Sequence, residues 1–230
     1  MIQAIFFDFN GVIINDEPIH MKAYQEVLAS EGITLTAEEY MTMLGMDDVT
    51  FVRTAFGRAG KPLTDEKTKA LIAREWEIHR GMIEDELPLA PGAVTFIKAT
   101  SRHFQLGVVS MATHARVFYV LERLKLENAF TVIVTAEGAS AHKPDPWCYN
   151  CALELLNDKR REMRVLPLLP AECLVIEDSP QGIQAGRAAG MKTLGVTNTV
   201  REEALRGAGA DVVTASLADW TVDAVHHVFD

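Results

Sequence analysis

The most informative segment of the sequence lies near its start, at residues 4–16, and reads AIFFDFNGVIIND. An apolar run of the kind found in buried strands stops at an acid, Asp8, passes through Phe9, Asn10 and Gly11, and turns apolar again. A carboxylate is costly to bury unless it is paired, hydrogen-bonded or bound to a metal ion. The position of Asp8 at the tip of an apparently buried strand therefore needs an explanation.

Five further runs of β-branched or apolar residues resemble that first strand, and helical patterns such as HARVFYVLERL (114–124) and SPQGIQAGRAAG (179–190) lie between the later ones. Strands that alternate with helices predict a parallel sheet covered on both faces, which is an α/β fold. The six predicted strands are 3–8, 104–110, 130–136, 173–178, 192–196 and 211–213.

Several of these runs end in a polar or charged residue, namely Asp8, Ser110 and Asp178. In open parallel sheets, ligands bind beyond the carboxyl ends of the strands. We therefore expect Asp8 to lie at the mouth of a binding site.

The segment from residue 16 to residue 88 contains helical patterns and no convincing strand. Helices are predicted near 19–31, 48–59 and 64–83, and TAEE (36–39) fits a capping box at the start of another. Prolines and the Pro91-Gly92 turn follow this segment. The sequence thus predicts an α/β domain over 1–15 and 89–230, with an all-helical domain over 16–88 inserted after the first strand.

Composition limits the possible functions. The 230 residues include 22 Lys and Arg against 32 Asp and Glu, which gives a net charge of −10 and makes nucleic acid a poor partner.

No apolar run is long enough to span a membrane, and no basic segment precedes the first strand, so we expect neither a membrane partner nor a signal peptide. Three cysteines, an odd number in a chain of this length, argue against a disulfide framework and favour a reducing, cytoplasmic setting. CYNC (148–151) reads as part of a helix with a structural role. We expect a monomer.

Four motifs occur in order along the chain: DFNGV (8–12), Ser110 after LGVV, HKPDP (142–146) and VIEDSPQG (175–182). Together they resemble the haloacid dehalogenase superfamily, and in particular its phosphatases and phosphomutases with a small helical cap, such as β-phosphoglucomutase. The resemblance covers the whole chain. It implies a Rossmann-like core, a helical cap formed by 16–88, and hydrolysis of a small phosphorylated metabolite.

The resemblance also assigns roles to the catalytic and metal-binding residues. Asp8 would be the nucleophile that forms an aspartyl-phosphate. A Mg²⁺ ion would be held by Asp8, Asp178 and the backbone carbonyl of Asn10, with Glu177 supporting its outer shell, because a hard cation prefers oxygen ligands.

Other residues would bind the phosphate group. Lys143 would lie against both the phosphate and the nucleophile. The Ser110 hydroxyl and the backbone N–H groups of Phe9, Asn10 and Met111 would bind phosphate oxygens.

Residue 10 departs from the family pattern, in which a second aspartate protonates the leaving oxygen and then activates water. Asn10 keeps the backbone carbonyl but cannot carry a proton, and general acid–base catalysis is worth ~10²–10⁴-fold. Asp16, Glu17 and His20 are candidates for carrying the proton instead, although His20 is more readily explained as a contact of the hinge or cap. The sequence predicts an enzyme that is impaired or specialised.

The cap is expected to select the substrate. Where the mutases place an Arg after a Gly, this chain has Asp47 and Asp48, and around the later Lys position it has Arg74 beside Glu75. Acids there would repel a second phosphate, which favours a phosphatase over a phosphomutase. The sequence also leaves open a dehalogenase, which the acids of VIEDS disfavour, and an inactive protein that binds a phosphosugar without turnover.

Overall fold

The computed structural model describes residues 1–137 and 139–230. The chain divides into two compact units. One unit, here the core unit, contains Met1–Asn15 and Leu89–Asp230, and the other, the helical unit, contains Asp16–Pro88.

The core unit is built on one six-stranded parallel sheet with the strand order β3-β2-β1-β4-β5-β6. This is the order of a doubly wound, Rossmann-like sheet, in which the first strand lies in the middle. The predicted fold class is therefore confirmed. The strands are β1 Ala4–Phe7, β2 Gln105–Val109, β3 Val132–Val134, β4 Cys173–Glu177, β5 Lys192–Val196 and β6 Val212–Thr214.

Among the described residues of the core unit, six α-helices connect and flank these strands. The helix α6 coincides with the predicted segment HARVFYVLERL, and α7 contains CYNC, whose cysteines are free thiols. The structural interpretation of CYNC is consistent with this position. These helices are α5 Ala93–Thr100, α6 His114–Leu124, α7 Trp147–Glu162, α8 Pro180–Ala188, α9 Glu202–Gly207 and α10 Val222–Phe229.

The central position of β1 follows from its sequence. All four of its residues are buried, as expected for a strand that is covered on both faces. It pairs in parallel with β2 on one side and β4 on the other, so that Phe7 is level with Val108 and Ile176. The first residues after β1, β2 and β4 therefore meet at one edge of the sheet.

The helical unit contains four helices: α1 Glu17–Ser30, α2 Ala37–Met41, α3 Asp48–Arg58 and α4 Asp65–Met82. The predicted capping box is present, because the Thr36 side chain accepts a hydrogen bond from the Glu39 N–H and the Glu39 side chain accepts one from the Thr36 N–H. Tyr24, Val27 and Leu28 of α1 pack in an apolar cluster with residues of α3 and α4. Local caps and one shared apolar face thus account for this unit.

The chain leaves the core unit and returns to it at adjacent positions. Ile14 forms a β-bridge with Leu89, and the Ala90 N–H donates to the Ile13 carbonyl at 3.1 Å. The insertion therefore begins and ends on a paired stretch of backbone that belongs to the core unit.

A search of the described residues finds no α-helix that combines the length and the apolar composition of a membrane span.

Candidate active site

Three neighbouring strands deliver polar residues to one edge of the sheet. Asp8 follows β1 and is fixed to β4 because its N–H donates to the Ile176 carbonyl at 2.9 Å. Ser110 follows β2 and donates its N–H to the Val134 carbonyl, and Asp178 follows Glu177 at the end of β4. The predicted gathering of strand-end residues is present in the structure.

Lys143 lies at the middle of this arrangement. Its Nζ donates to Asp8 Oδ1 at 2.7 Å, to Glu177 Oε1 at 2.5 Å and to the Val109 carbonyl at 3.3 Å. Asp8, Lys143 and Glu177 are called the lysine centre below. An ammonium group has three donors, so each of the donors of Lys143 has a protein acceptor in this state.

Glu177 is fully buried and is held from several sides. Its carboxylate accepts hydrogen bonds from the Tyr149 hydroxyl at 2.8 Å and from Ser179 Oγ at 3.0 Å. A Cβ added to Gly182 would lie 1.8 Å from the Glu177 carboxyl carbon, so glycine at that position leaves the space that the carboxylate occupies. Glu177 was expected in the outer shell of a metal ion, whereas here its direct partner is Lys143.

The electrostatics of the lysine centre follow from two carboxylates sharing one cation. Burial raises the pKa of Asp8 to about 7, although Lys143 opposes the shift, and Glu177 adds to it. Burial disfavours the charge of Lys143, but Asp8 and Glu177 outweigh burial and raise the pKa of its ammonium group. Lys143 is therefore a fixed positive charge beside a carboxyl group that titrates near neutrality.

The same edge offers oxygen ligands suitable for a hard divalent cation. Carboxylate oxygens of Asp8, Glu177 and Asp178 lie within 4.8 Å of one another. A Cβ added to Gly11, whose φ is +76°, would lie 1.8 Å from Asp178 Oδ2, so the main chain approaches this carboxylate closely. Such a donor set fits Mg²⁺, which prefers carboxylate and carbonyl oxygens.

The predicted phosphate-binding residues follow β1 and β2, at the same edge of the sheet as the lysine centre. Ser110 is buried, and its Oγ accepts a hydrogen bond from the Ala112 N–H at 2.9 Å, so its own O–H can donate elsewhere. Phe9 and Met111 are also buried. Each directly follows a polar strand-end residue, which is where backbone N–H groups for an anion were predicted.

Asn10 lies in a tight loop after β1 and is partly exposed. The loop is closed by a β-bridge between Asn10 and Ile14, and the Gly11 N–H donates to the Ile14 carbonyl at 2.6 Å. Asn198 Nδ2 donates to the Gly11 carbonyl at 2.7 Å. The loop is thus well fixed, with a side-chain amide at the position where the family pattern has an acid.

Glu17 and His20, which were considered as proton carriers in place of residue 10, belong to the helical unit. Glu17 accepts a hydrogen bond from the Tyr40 hydroxyl at 2.6 Å, and burial raises its pKa although His20 and Tyr40 oppose this. His20 Nδ1 lies 3.1 Å from Glu75 Oε1. Both residues therefore have partners within their own unit.

The helical unit also contains a buried polar cluster that was not predicted, formed by Asp16, His20, Glu75 and His79. It is called the histidine–carboxylate cluster below. Glu75 was interpreted as an acid that would repel a second phosphate, but it is fully buried and contacts His20 within the helical unit. The sequence could have indicated this cluster. An acid and a histidine are four residues apart twice, at Asp16 and His20 and at Glu75 and His79, and residues at i and i+4 share a helix face.

The two cap acids that replace the family's Arg have local partners. Asp47 is the N-cap of α3 and accepts hydrogen bonds from the N–H groups of Val49 at 3.0 Å and Thr50 at 3.2 Å. Asp48 accepts a hydrogen bond from the Tyr24 hydroxyl. Helix capping and packing within the helical unit therefore explain both acids without reference to a substrate.

Three known proteins illustrate what the chain is similar to. A phosphorylated carbohydrates phosphatase from Thermotoga maritima is 28% identical over 91% of this chain and 92% of its own. β-Phosphoglucomutase from Clostridium difficile superposes with a TM-score of 0.85 at 21% identity, covering 100% of this chain and 97% of the other, which supports the fold. An aspartate-to-asparagine mutant of CbbY from Rhodobacter sphaeroides, solved with xylulose-1,5-bisphosphate, superposes with a TM-score of 0.78 at 25% identity over 95% and 96% of the two chains.

The family model for haloacid dehalogenase-like hydrolases matches residues 5–196, which include all four motifs and the helical unit. The expectation of a hydrolase from this superfamily, related to β-phosphoglucomutase and sugar phosphatases, is confirmed. The chain belongs to the haloacid dehalogenase-like hydrolases.

Proposed function

We propose that the protein is a Mg²⁺-dependent phosphatase of small phosphorylated carbohydrates that uses Asp8 as its nucleophile. The observation that carries this proposal is the lysine centre, in which a buried ammonium group lies 2.7 Å from Asp8 Oδ1 at the carboxyl ends of the strands. The relative from Thermotoga maritima supports the substrate class.

The first chemical step forms a bond between an Asp8 carboxylate oxygen and phosphorus and breaks the bond from phosphorus to the sugar oxygen. Lys143 holds the carboxylate in place and offsets the negative charge of the phosphate. Its three donors have protein acceptors in the present state. An arriving phosphate must therefore displace one of them, and the contact with the Val109 carbonyl at 3.3 Å is the longest and the most readily lost.

Asp8, Asp178 and the carbonyl of Asn10 would hold Mg²⁺, which neutralises negative charge at the phosphate when it is bound. Loss of the Asp178 side chain should matter more than a change of side chain at residue 10, because residue 10 contributes a backbone atom. In calorimetric titration, Asp178→Ala should weaken Mg²⁺ binding far more than Asn10→Asp changes it. The reverse order would contradict this assignment of ligands.

The second step, attack of water on the aspartyl-phosphate, needs a base that Asn10 does not provide. The leaving oxygen of the first step needs a proton as well, but an aryl phosphate has a leaving group that departs without one. With an aryl phosphate we expect a burst of about one equivalent of phenol per protein, followed by slow turnover.

The test compares the protein with Asn10→Asp, which should raise steady turnover by roughly 10²–10⁴-fold. Asn128→Asp is the matched control, because Asn128 is exposed and the substitution adds the same charge. Intact-mass measurement should establish that residue 10 carries its amide in the sample tested. Equal turnover by the protein and Asn10→Asp would mean that another residue carries the proton, and Asp16, Glu17 and His20 would be replaced next.

A second candidate function is binding of a phosphosugar without turnover. The CbbY mutant that retains a sugar bisphosphate favours it, because an asparagine in that protein is compatible with a bound ligand. Absence of both phenol release and phosphate on Asp8, together with calorimetric binding of a sugar phosphate, would establish this candidate and reject the phosphatase. Conversion of one sugar phosphate into an isomer would instead establish a phosphomutase.

A further inference from the structure

The histidine–carboxylate cluster combines two matching pairs of residues on two helices of the helical unit. Asp16 precedes α1 directly and His20 lies four residues later, while Glu75 and His79 lie four residues apart on α4. Each pair occupies one helix face because residues at i and i+4 are neighbours. All four side chains belong to residues that are more than nine-tenths buried.

Three atoms of the cluster converge on a small volume. Asp16 Oδ2 lies 3.0 Å from His79 Nε2 and 3.9 Å from His20 Nε2. Ligand atoms of Asp16, His20 and His79 all lie within 4.8 Å of one another. Zn²⁺ binds nitrogen and oxygen at about 2.0–2.1 Å in a tetrahedron, which places neighbouring ligand atoms roughly 3.3 Å apart. The two distances from Asp16 lie on either side of that value.

We propose that Asp16, His20 and His79 form a binding site for a divalent transition-metal ion of the Zn²⁺ type. Asp16 Oδ2, His20 Nε2 and His79 Nε2 are the ligand atoms. Three protein ligands leave a fourth position for water or another small ligand.

Glu75 occupies the position of an outer-shell residue. Its Oε1 lies 3.1 Å from His20 Nδ1, the ring nitrogen opposite the one that faces Asp16. Metal-binding histidines typically donate this second nitrogen to a carboxylate, which fixes the ring and makes the other nitrogen a better ligand. Glu75 is therefore a positioning residue for His20.

The donor set distinguishes this site from the oxygen ligands at the end of the sheet. Imidazole nitrogen suits Zn²⁺ and related transition metals, whereas Mg²⁺ is bound through oxygen.

The cluster is also incomplete as a hydrogen-bond network, because His79 Nδ1 is buried and has no hydrogen-bond partner among the described residues. Since His79 lacks the outer partner that His20 has in Glu75, we expect His79 to be the weaker of the two histidine ligands.

The experiment measures Zn²⁺ binding by equilibrium dialysis of the full-length protein after chelation, with excess Mg²⁺ present to occupy the carboxylate site of the core unit. One equivalent of Zn²⁺ should bind to the wild-type protein and to Asp178→Ala. His20→Asn and His79→Asn should each weaken binding by more than about 100-fold, since loss of a ligand exceeds the 10–100-fold effect of an outer-shell change.

Glu75→Gln and Glu77→Gln form a matched pair on the same helix. Glu75→Gln should weaken binding by about 10–100-fold, whereas Glu77→Gln should leave it unchanged because Glu77 is exposed. A purely structural role for Glu75 would change stability without changing the affinity of the folded protein for Zn²⁺. Circular dichroism identifies any variant that fails to fold.

Co²⁺ substitution tests the site in the wild-type protein, independently of the variants. Visible absorption bands of four- or five-coordinate Co²⁺ with nitrogen ligands should appear with one equivalent and disappear when Zn²⁺ is added. No Zn²⁺ binding, no such bands, or unchanged binding in folded His79→Asn would overturn the proposal and leave the cluster as an internal polar network.

Discussion

The lysine centre and the histidine–carboxylate cluster both bury carboxylates, but they compensate the negative charge in different ways. In the core unit, Asp8 and Glu177 share the permanent charge of Lys143. In the helical unit, Asp16 and Glu75 face imidazole rings, whose charge depends on protonation. A lysine between carboxylates keeps a positive charge at a site that is proposed to receive both a phosphate and a Mg²⁺ ion. Imidazole nitrogens that converge on a carboxylate suit a site that receives a cation.

The largest expected effect tests the role of the permanent charge. Lys143→Met should lower the free energy of unfolding by about 3–5 kcal/mol, because it leaves two buried carboxylates without their cation. Urea unfolding above neutral pH measures this loss, and the loss should shrink at lower pH as Asp8 takes up a proton. Lys98→Met is the control, since Lys98 is exposed on α5. Equal stability of the two variants would show that Lys143 does not compensate the carboxylates.

A smaller effect is expected when the lysine centre is displaced without loss of any charged group. Gly182→Ala places a methyl group where the Glu177 carboxylate lies, and overpacking of this kind costs about 1–3 kcal/mol. Gly207→Ala on α9 meets no atom within 4 Å and should be neutral or slightly stabilising. If phosphatase activity and stability survive Gly182→Ala unchanged, the position of Glu177 is less constrained than the structure indicates.

The two regions should respond to pH in opposite directions in metal-free protein. Burial raises the pKa of Asp8 from 3.8 to about 7, so its contribution to stability is present at low pH and is lost as the pH rises through that range. Burial lowers the pKa of His79 below 6.5, although Asp16 opposes this, so stability of the helical unit is lost as the pH falls below about 6.5. Each group changes the free energy of unfolding by at most about 1.4 kcal/mol per pH unit.

Hydrogen exchange measured separately for peptides of the two units would reveal these opposite slopes. Asp8→Asn should flatten the slope of the core unit and leave that of the helical unit, and His79→Gln should do the reverse. If the stability of both units changed with pH in the same direction, the contrast between the permanent charge of Lys143 and the protonation-dependent charge of the histidines would be wrong.

The smallest effect concerns local order in the helical unit. Thr36→Ala removes one side of the capping box and should cost about 1 kcal/mol, as loss of an N-cap usually does. Thermal unfolding followed by circular dichroism measures the change. Glu38→Ala, which leaves both hydrogen bonds of the box in place, serves as the control. A cost near zero would mean that tertiary packing alone determines where α2 begins.

The sequence was sufficient to predict the sheet and the helical segment because their signals are local. Each strand is a short apolar run, and TAEE specifies a helix start without help from distant residues. The strand-end positions of Asp8, Ser110 and Asp178 were predictable for the same reason, because parallel strands bring their carboxyl ends to one edge.

Contacts between residues that are far apart in the sequence were harder to predict. Lys143 and Asp8 are 135 residues apart, and their proximity was expected from family resemblance rather than from any local pattern. The pairing of Glu177 with Lys143 was not foreseen, since a sequence does not show which of two adjacent acids turns inward. Helical periodicity gives the face on which Glu75 and His79 lie, but it does not identify the helix that covers that face.

The tight loop after β1 also affects how fast Asn10 is deamidated. Asn-Gly pairs lose ammonia when the glycine nitrogen attacks the asparagine side-chain carbonyl and closes a succinimide ring, which water then opens to aspartate or isoaspartate. Here the Gly11 N–H is engaged by the Ile14 carbonyl at 2.6 Å, and Gly11 is held at a φ of +76°. The attacking nitrogen is thus tied back by the fold. Folded protein should keep its amide far longer than unfolded chain, and brief unfolding during storage would slowly create the acid that the family pattern expects at residue 10.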